Sequence, residues 1–161
     1  MNKRGQLLER PFIFIFIVIV SGFIFIFGFY LTKNLIKANN CAQLGLSVND
    51  LKTEVEKYYD FDIGSNTQTT FKIPGKIKYT CFISKETYLD KSALDKIDKN
   101  FYNTVQNLNY NVVFWPMSYC SKSFFQIDKI SFKDNPLCIL NNGNIKLGLE
   151  NKGNYVEISK S

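Results

Sequence analysis

Residues Phe12–Leu31 read FIFIFIVIVSGFIFIFGFYL. These twenty residues carry no charge. That is the length a helix needs to cross about 30 Å of hydrocarbon. In water, alternating Phe and Ile would favour strand formation and self-association. In lipid an isolated strand leaves its backbone groups unpaired, so helix is the expected state. Ser21, Gly22 and Gly28 are tolerated in such a helix, and the two glycines are not spaced as a GxxxG pair. Tyr30 falls near the end of the run, where an amphipathic ring favours the membrane interface. A cleaved secretory signal has an apolar region of about 7–15 residues and a small-residue cleavage site after it. This run is longer and no such site follows, so the expectation is a retained anchor.

Outward from this run, the averages come apart. The chain has 161 residues, a net charge of +6, no histidine and four cysteines. Seven of its fifteen phenylalanines lie in Phe12–Leu31. A whole-chain mean hydropathy near that of a soluble protein therefore averages two unlike parts. Lys3, Arg4 and Arg10 precede the run against Glu9 alone, while Lys33 and Lys37 follow it. The bias toward a cytoplasmic N-terminus is slight. All four cysteines come after the run, and an even count in a small, Asn-rich domain suits disulfides in an oxidising space. Both signals put the C-terminal part outside the cell. The expected organisation is a basic cytoplasmic flank over 1–11, a transmembrane helix over 12–31, a juxtamembrane stem over 32–46 and an extracellular domain over 47–161.

The first residues read MNKRGQLLE. A short basic stretch, Gly-Gln, and a Glu at the lip of a long apolar helix resemble the class III signal of archaeal type IV pilin-like proteins. The resemblance covers roughly the first 31 residues. It implies a leader of residues 1–5, peptidase cleavage between Gly5 and Gln6, and Glu9 as a charge partner for a neighbouring subunit's new amino terminus. It also implies that the apolar helix packs against copies of itself in a filament. The chain differs from the family pattern in three ways. Glu9 would be the fourth residue after the cut rather than the fifth, Leu7 stands where a Ser is usual, and Arg10-Pro11 precede the apolar run. Pro11 suits the first turn of a helix. The alternative is an uncleaved anchor whose basic flank stays in the cytoplasm, an accessory module of a surface, adhesion or secretion complex.

Beyond the run, Leu31, Leu35, Ala38 and Ala42 continue a helical stripe. Asn39-Asn40 and Gly45 suggest a break before residue 47. Ser47 then reads as the cap of a new helix carrying Leu51, Val55 and Tyr58. The pilin-like reading would instead join both pieces into one long stem. Asp60-Phe61-Asp62-Ile63-Gly64 superficially suggests a calcium loop, but lacks a third oxygen ligand before Gly64 and the closing Glu. It is expected to be a turn with Phe61 and Ile63 tucked inward. Residues 69–73 and 77–83 read as a hairpin about Pro74-Gly75-Lys76. Leu94, Ile97, Phe101, Val105 and Leu108 form one apolar stripe, expected as a single helix of about 18 residues capped by Asp90 or Ser92. Strands are expected at 111–115, 123–132, 137–140, 144–150 and 154–159, with turns at Asn142-Gly143 and Lys152-Gly153. Ile145, Leu147 and Leu149 alternate with polar or small residues, giving that strand one buried face. The fold class is therefore α+β: a transmembrane helix, then an antiparallel sheet of five to seven strands with one packed helix, disulfide-bonded.

Four cysteines allow three pairings. The stretches TCFISK and NPLCILNNGNIKLGLENKGNYVEIS resemble a recurrent pattern among small archaeal surface proteins. That resemblance implies Cys81–Cys138, which leaves Cys41–Cys120. A zinc site would need four scattered cysteines with no CxxC pair and no His, so no metal is expected.

No catalytic group stands out. Without histidine there is no Ser-His or Cys-His pair, and no spacing singles out a Ser-Lys dyad. Asp60/Asp62 and Asp95/Asp98 are close in sequence, but the second pair is interleaved with lysines as on a solvated helix face. There is no phosphate loop or dinucleotide fingerprint, so no cofactor is expected. Arginine is absent after Arg10 and the lysines are dispersed, which argues against nucleic acid. Tyr110, Phe114, Trp115, Tyr119, Phe124 and Phe125 form an aromatic cluster that could be core or interface, with Phe114, Trp115 and Tyr119 as the interface candidates. None of the seventeen asparagines begins an Asn-x-Ser/Thr sequon. Expected partners are membrane lipid and protein, including copies of the chain packed through the N-terminal helix.

Overall fold

A computed structural model describes the backbone of residues 6–161 and the side chains from residue 11. The cut site at Gly5–Gln6 and the Glu9 carboxylate lie outside the described residues. The chain divides into two compact units, Met1–Asn39 and Asn40–Ser161.

One helix, α1, runs Gln6–Tyr59 through both units. In the first unit Pro11 lies inside the helix, not in its first turn. Thr32 Oγ1 donates back to Gly28 O at 2.8 Å, and Lys33 Nζ sits 4.4 Å from the Phe29 ring centre. The break expected before residue 47 is absent. Ser47 does not cap a new helix: its Oγ lies 3.0 Å from Gln43 O and 2.6 Å from Lys72 O. Gly45 costs a helix about 1 kcal/mol relative to Ala. Burial of Leu44, Val48, Leu51 and Val55, a stripe at helical spacing, outweighs that cost.

The second unit builds two four-stranded sheets. The first has the order β1(Asn66–Lys72), β7(Asn144–Asn151), β8(Val156–Lys160), β5(Ile130–Phe132). The second has the order β4(Phe124–Phe125), β3(Val112–Trp115), β2(Tyr79–Phe82), β6(Leu137–Leu140). All pairings are antiparallel except β5 with β8. The main core joins the α1 stripe to Phe71, Ile145, Leu147 and Leu149 of the first sheet and to Phe82, Val112, Phe114 and Ile139 of the second. Alternate residues of the second sheet, Cys81, Ile83 and Val113, face the other way onto Leu94, Phe101 and Val105. The second sheet is thus buried on both faces. The α+β class holds, with two sheets in place of one.

Three expected elements are divided. The 94–108 helix is two short ones, α2(Lys91–Asp95) and α3(Phe101–Val105). Asp98 Oδ1 accepts the Asn100 N–H at 2.8 Å, a local bond that competes with the helical ladder. The apolar stripe nonetheless stays in one cluster, because a turn between the helices keeps Leu94, Ile97, Phe101, Val105 and Leu108 on the sheet. The 123–132 strand is β4 and β5, in different sheets. Asn111 holds Ile127 between them, donating to its carbonyl at 2.6 Å and accepting its N–H at 2.9 Å. Lys129 then turns the chain at φ 60°. The 69–83 hairpin does not form. The Pro74 turn is present, with Ile77 N–H on Pro74 O, but Asn141 Nδ2 reaches Pro74 O and Ile77 O and the two strands diverge to separate sheets. Phe61 and Ile63, expected inside, are 47% and 78% exposed, since α1 ends at Tyr59 and the turn faces solvent.

The β7–β8 hairpin does form. Gly153 turns it at φ +94°, and Gly148 lets Ser159 approach so closely that a Cβ there would lie 2.6 Å from its Oγ. Among the described residues, one buried hydroxyl has no partner. Thr80 Oγ1 is shut inside the second sheet at 1% exposure. Thr80→Val keeps the shape and removes that desolvated group. It should raise stability by about 1–2 kcal/mol, read as a higher denaturant midpoint at unchanged slope. A lower midpoint would show that the hydroxyl is satisfied in solution.

Candidate functional site

The most distinctive surface is that of α1 itself. Every large apolar side chain from Phe12 to Leu31 is exposed, with Phe25 at 78%. The segment is helical throughout, and none of its most apolar window is buried in the chain. A helix that is apolar all round needs an apolar surround, from lipid or from other helices.

Within the second unit, α1 is fastened at Asn40–Cys41. Cys41 is bonded to Cys120, with Cα atoms 5.6 Å apart. Beside it, Asn40 Nδ2 donates to Tyr119 Oη at 2.8 Å. These contacts fasten the start of the buried part of α1 to the segment between β3 and β4. The second bridge, Cys81–Cys138, joins directly opposed residues of β2 and β6. No cysteine is free.

Of the three aromatic interface candidates, one is in the core and two keep part of their surface exposed. Phe114 is in the core at 2% exposure, edge-on to Phe125. Trp115 is half-buried with its ring 4.6 Å from that of Phe101, and Tyr119 is half-buried beneath α1.

Residues that sequence reasoning passed over are asparagines used as clamps. Asn151, 1% exposed, donates to Tyr59 O and Phe61 O and accepts from Gly153 N, tying the end of α1 to the β7–β8 turn. Asn135 spans the 84–88 loop, accepting from Ser84 N and donating to Ser84 O. A cluster of asparagines at turns was the only available signal, and it does not say which carbonyls each amide will reach.

Two ionisable groups are displaced from their ordinary values. The Ser92 hydroxyl and amide hold the Asp90 carboxyl below 3.8, as befits the cap of α2. The Lys152 ammonium donates to the Glu150 carboxylate, and that bond holds it above 10.5. Both are surface pairs. Among the described residues, no group of three or more His, Cys, Asp or Glu is placed to hold a metal. Comparison with protein-family models, curated proteins and solved structures finds no match.

Proposed function

We propose that the chain is a single-pass membrane-anchored protein of the cell surface, with a structural or interactive role rather than a catalytic one. The observation that carries this is the uncharged helical stretch Phe12–Leu31 with all its large side chains turned outward. Lipid covers that surface in the anchored state. The N-terminus is cytoplasmic and residues 40–161 are outside. Four paired cysteines support that side, since disulfides persist in oxidising compartments. Its partners are lipid and protein, reached in part through the N-terminal helix, with no cofactor or nucleic acid.

A second reading, a pilin-like filament subunit, is favoured by one specific feature. α1 continues through residue 47, as the joined-stem alternative requires. On this reading residues 1–5 are removed and the apolar helix packs among copies of itself.

Intact-mass measurement of the protein from its native membrane, alkylated with and without reductant, tests both. We expect no thiol labelling before reduction and four labels after it. Four labels before reduction would overturn the external placement. A mature chain beginning at Gln6 supports the filament subunit, and one beginning at Met1 or Asn2 eliminates it and leaves the anchor.

A further inference from the structure

β1 is the longest unpaired edge among the described strands. Its one neighbour is β7, in unbroken register over Asn66–Lys72. The other edges, β4, β5 and β6, have two, three and four residues. Ile73 N–H donates to Gly143 O and Asn151 N–H donates to Ser65 O, so odd-numbered residues face β7. With a period of two, Asn66, Gln68, Thr70 and Lys72 direct their backbone groups away from the sheet. Of these, Lys72 O is covered by the Ser47 hydroxyl. Exposed edges are ordinarily protected by charge, Pro or a bulge. β1 has no Pro and no bulge, and its single charge is the terminal Lys72.

α1 forms a wall along this edge. Leu46, Asp50 and Glu54 line one groove together with Thr70 and Lys72. α1 and β1 run in opposite directions. Ser47 meets Lys72 at one end, and at the other Asn151 bonds both Tyr59 O and the Ser65–Gly64 turn. A strand added antiparallel to β1 would run alongside α1 in the same direction.

The spacings then match. Leu46, Asp50 and Glu54 are four residues apart, about 6 Å of helical rise per step. Alternate residues of a strand are about 6.6 Å apart. Successive same-face side chains of an added strand would meet Leu46, then Asp50, then Glu54. Leu46 is 65% exposed and apolar. Asp50 and Glu54 are acidic, and Glu54 pairs with Lys57 at 3.7 Å, an exposed pair of small worth.

We propose that β1 and α1 bind an extended segment of a partner polypeptide, which adds as a fifth strand to the first sheet. The segment has the pattern apolar–x–basic–x–basic from N to C. Main-chain bonds to Gln68 and Thr70 supply the register, and the alternate side chains supply selectivity. The inference is independent of how the N-terminal helix is accommodated.

The test uses the full chain in detergent micelles and the labelled peptide acetyl-Thr-Val-Thr-Lys-Thr-Lys-Thr-amide, followed by fluorescence anisotropy. We expect saturable binding that weakens with added salt. Replacing both peptide lysines by Glu should weaken it about tenfold or more. Thr70→Pro removes an outward N–H without touching the β1–β7 ladder, and should cost about tenfold. The exposed pair Asp50→Lys with Glu54→Lys should cost about as much, with both disulfides and the far-UV spectrum unchanged. Absence of saturable binding, equal affinity for the Glu peptide, or wild-type binding by both variants would each overturn the proposal. A dimer that Thr70→Pro dissociates, with no peptide binding, would assign the edge to a second copy instead.

Discussion

On the proposed anchor, Val20→Lys combined with Ile24→Lys is expected to remove the chain from the membrane fraction. Both residues sit near the middle of the Phe12–Leu31 run, one helical turn apart and both exposed. At the centre of an inserted helix Lys is disfavoured by about 2.5–3.5 kcal/mol, whereas Val and Ile are favoured by a few tenths. The two changes together therefore shift insertion by roughly 6–8 kcal/mol, several orders of magnitude in partition. Snorkelling toward the headgroups is least effective at mid-span, which is why these positions are chosen. Flotation on a density gradient reads the result, with Val20→Leu and Ile24→Leu as the control that stays with lipid. The compact unit should remain oxidised and folded, because its core begins at Leu44 and draws nothing from residue 39 or earlier. Flotation of the lysine variant like the wild type would remove the basis for the anchor. It would point instead to a helix covered by protein alone.

The same segment shows what a sequence can disclose. Twenty uncharged residues decide helix or strand by length and by backbone satisfaction, both local quantities. β6, β7 and β8 are legible for a similar reason, since alternation and the Lys152-Gly153 turn lie within a few residues of one another. What was not legible is pairing at a distance. Thr69–Ile73 and Ile77–Ile83 look like the arms of a hairpin because Pro74-Gly75 does turn the chain. Yet the partner of β1 is β7, and the turn itself is held by Asn141, far along the sequence, through Pro74 O and Ile77 O. The break in the 94–108 stripe is subtler. Its apolar spacing survives the interruption, so periodicity alone could not distinguish one helix from two that share a face. At Gly45 the error was the reverse. A residue that favours a break was overruled by four buried neighbours whose contacts are tertiary. For the functional surfaces, the apolar helix was evident from composition. The β1 groove was not, because it exists only once α1 continues past residue 47 and β1 lands at a sheet edge.

Two bridges tie the second unit together, and removing both is expected to unfold it. Cys41–Cys120 closes a separation of 79 residues and Cys81–Cys138 one of 57. Loop-closure entropy differs between them by only about 0.3 kcal/mol, so each should stabilise by about 2–5 kcal/mol on that ground. Their local consequences differ. Cys81 and Cys138 are opposed within hydrogen-bonded strands, so β2 and β6 remain paired after Cys81→Ala with Cys138→Ala. Cys41 and Cys120 link α1 to a connection that has no strand partner and is fixed internally by the Ser123 hydroxyl on Met117 O and Cys120 O and to α1 by Asn40 on Tyr119. Cys41→Ala with Cys120→Ala should therefore open residues 116–123 to protease first, while the sheets persist. Each double variant should lower Tm by roughly 10–20 °C. With all four cysteines replaced, the combined loss approaches the whole stability of a domain, about 5–15 kcal/mol. That variant should show no cooperative transition above 37 °C. Melts of the three variants in the same detergent, with cleavage sites mapped by mass spectrometry, decide the matter. A four-Ala chain melting within a few degrees of the wild type would mean that the two cores hold α1 in place without covalent help.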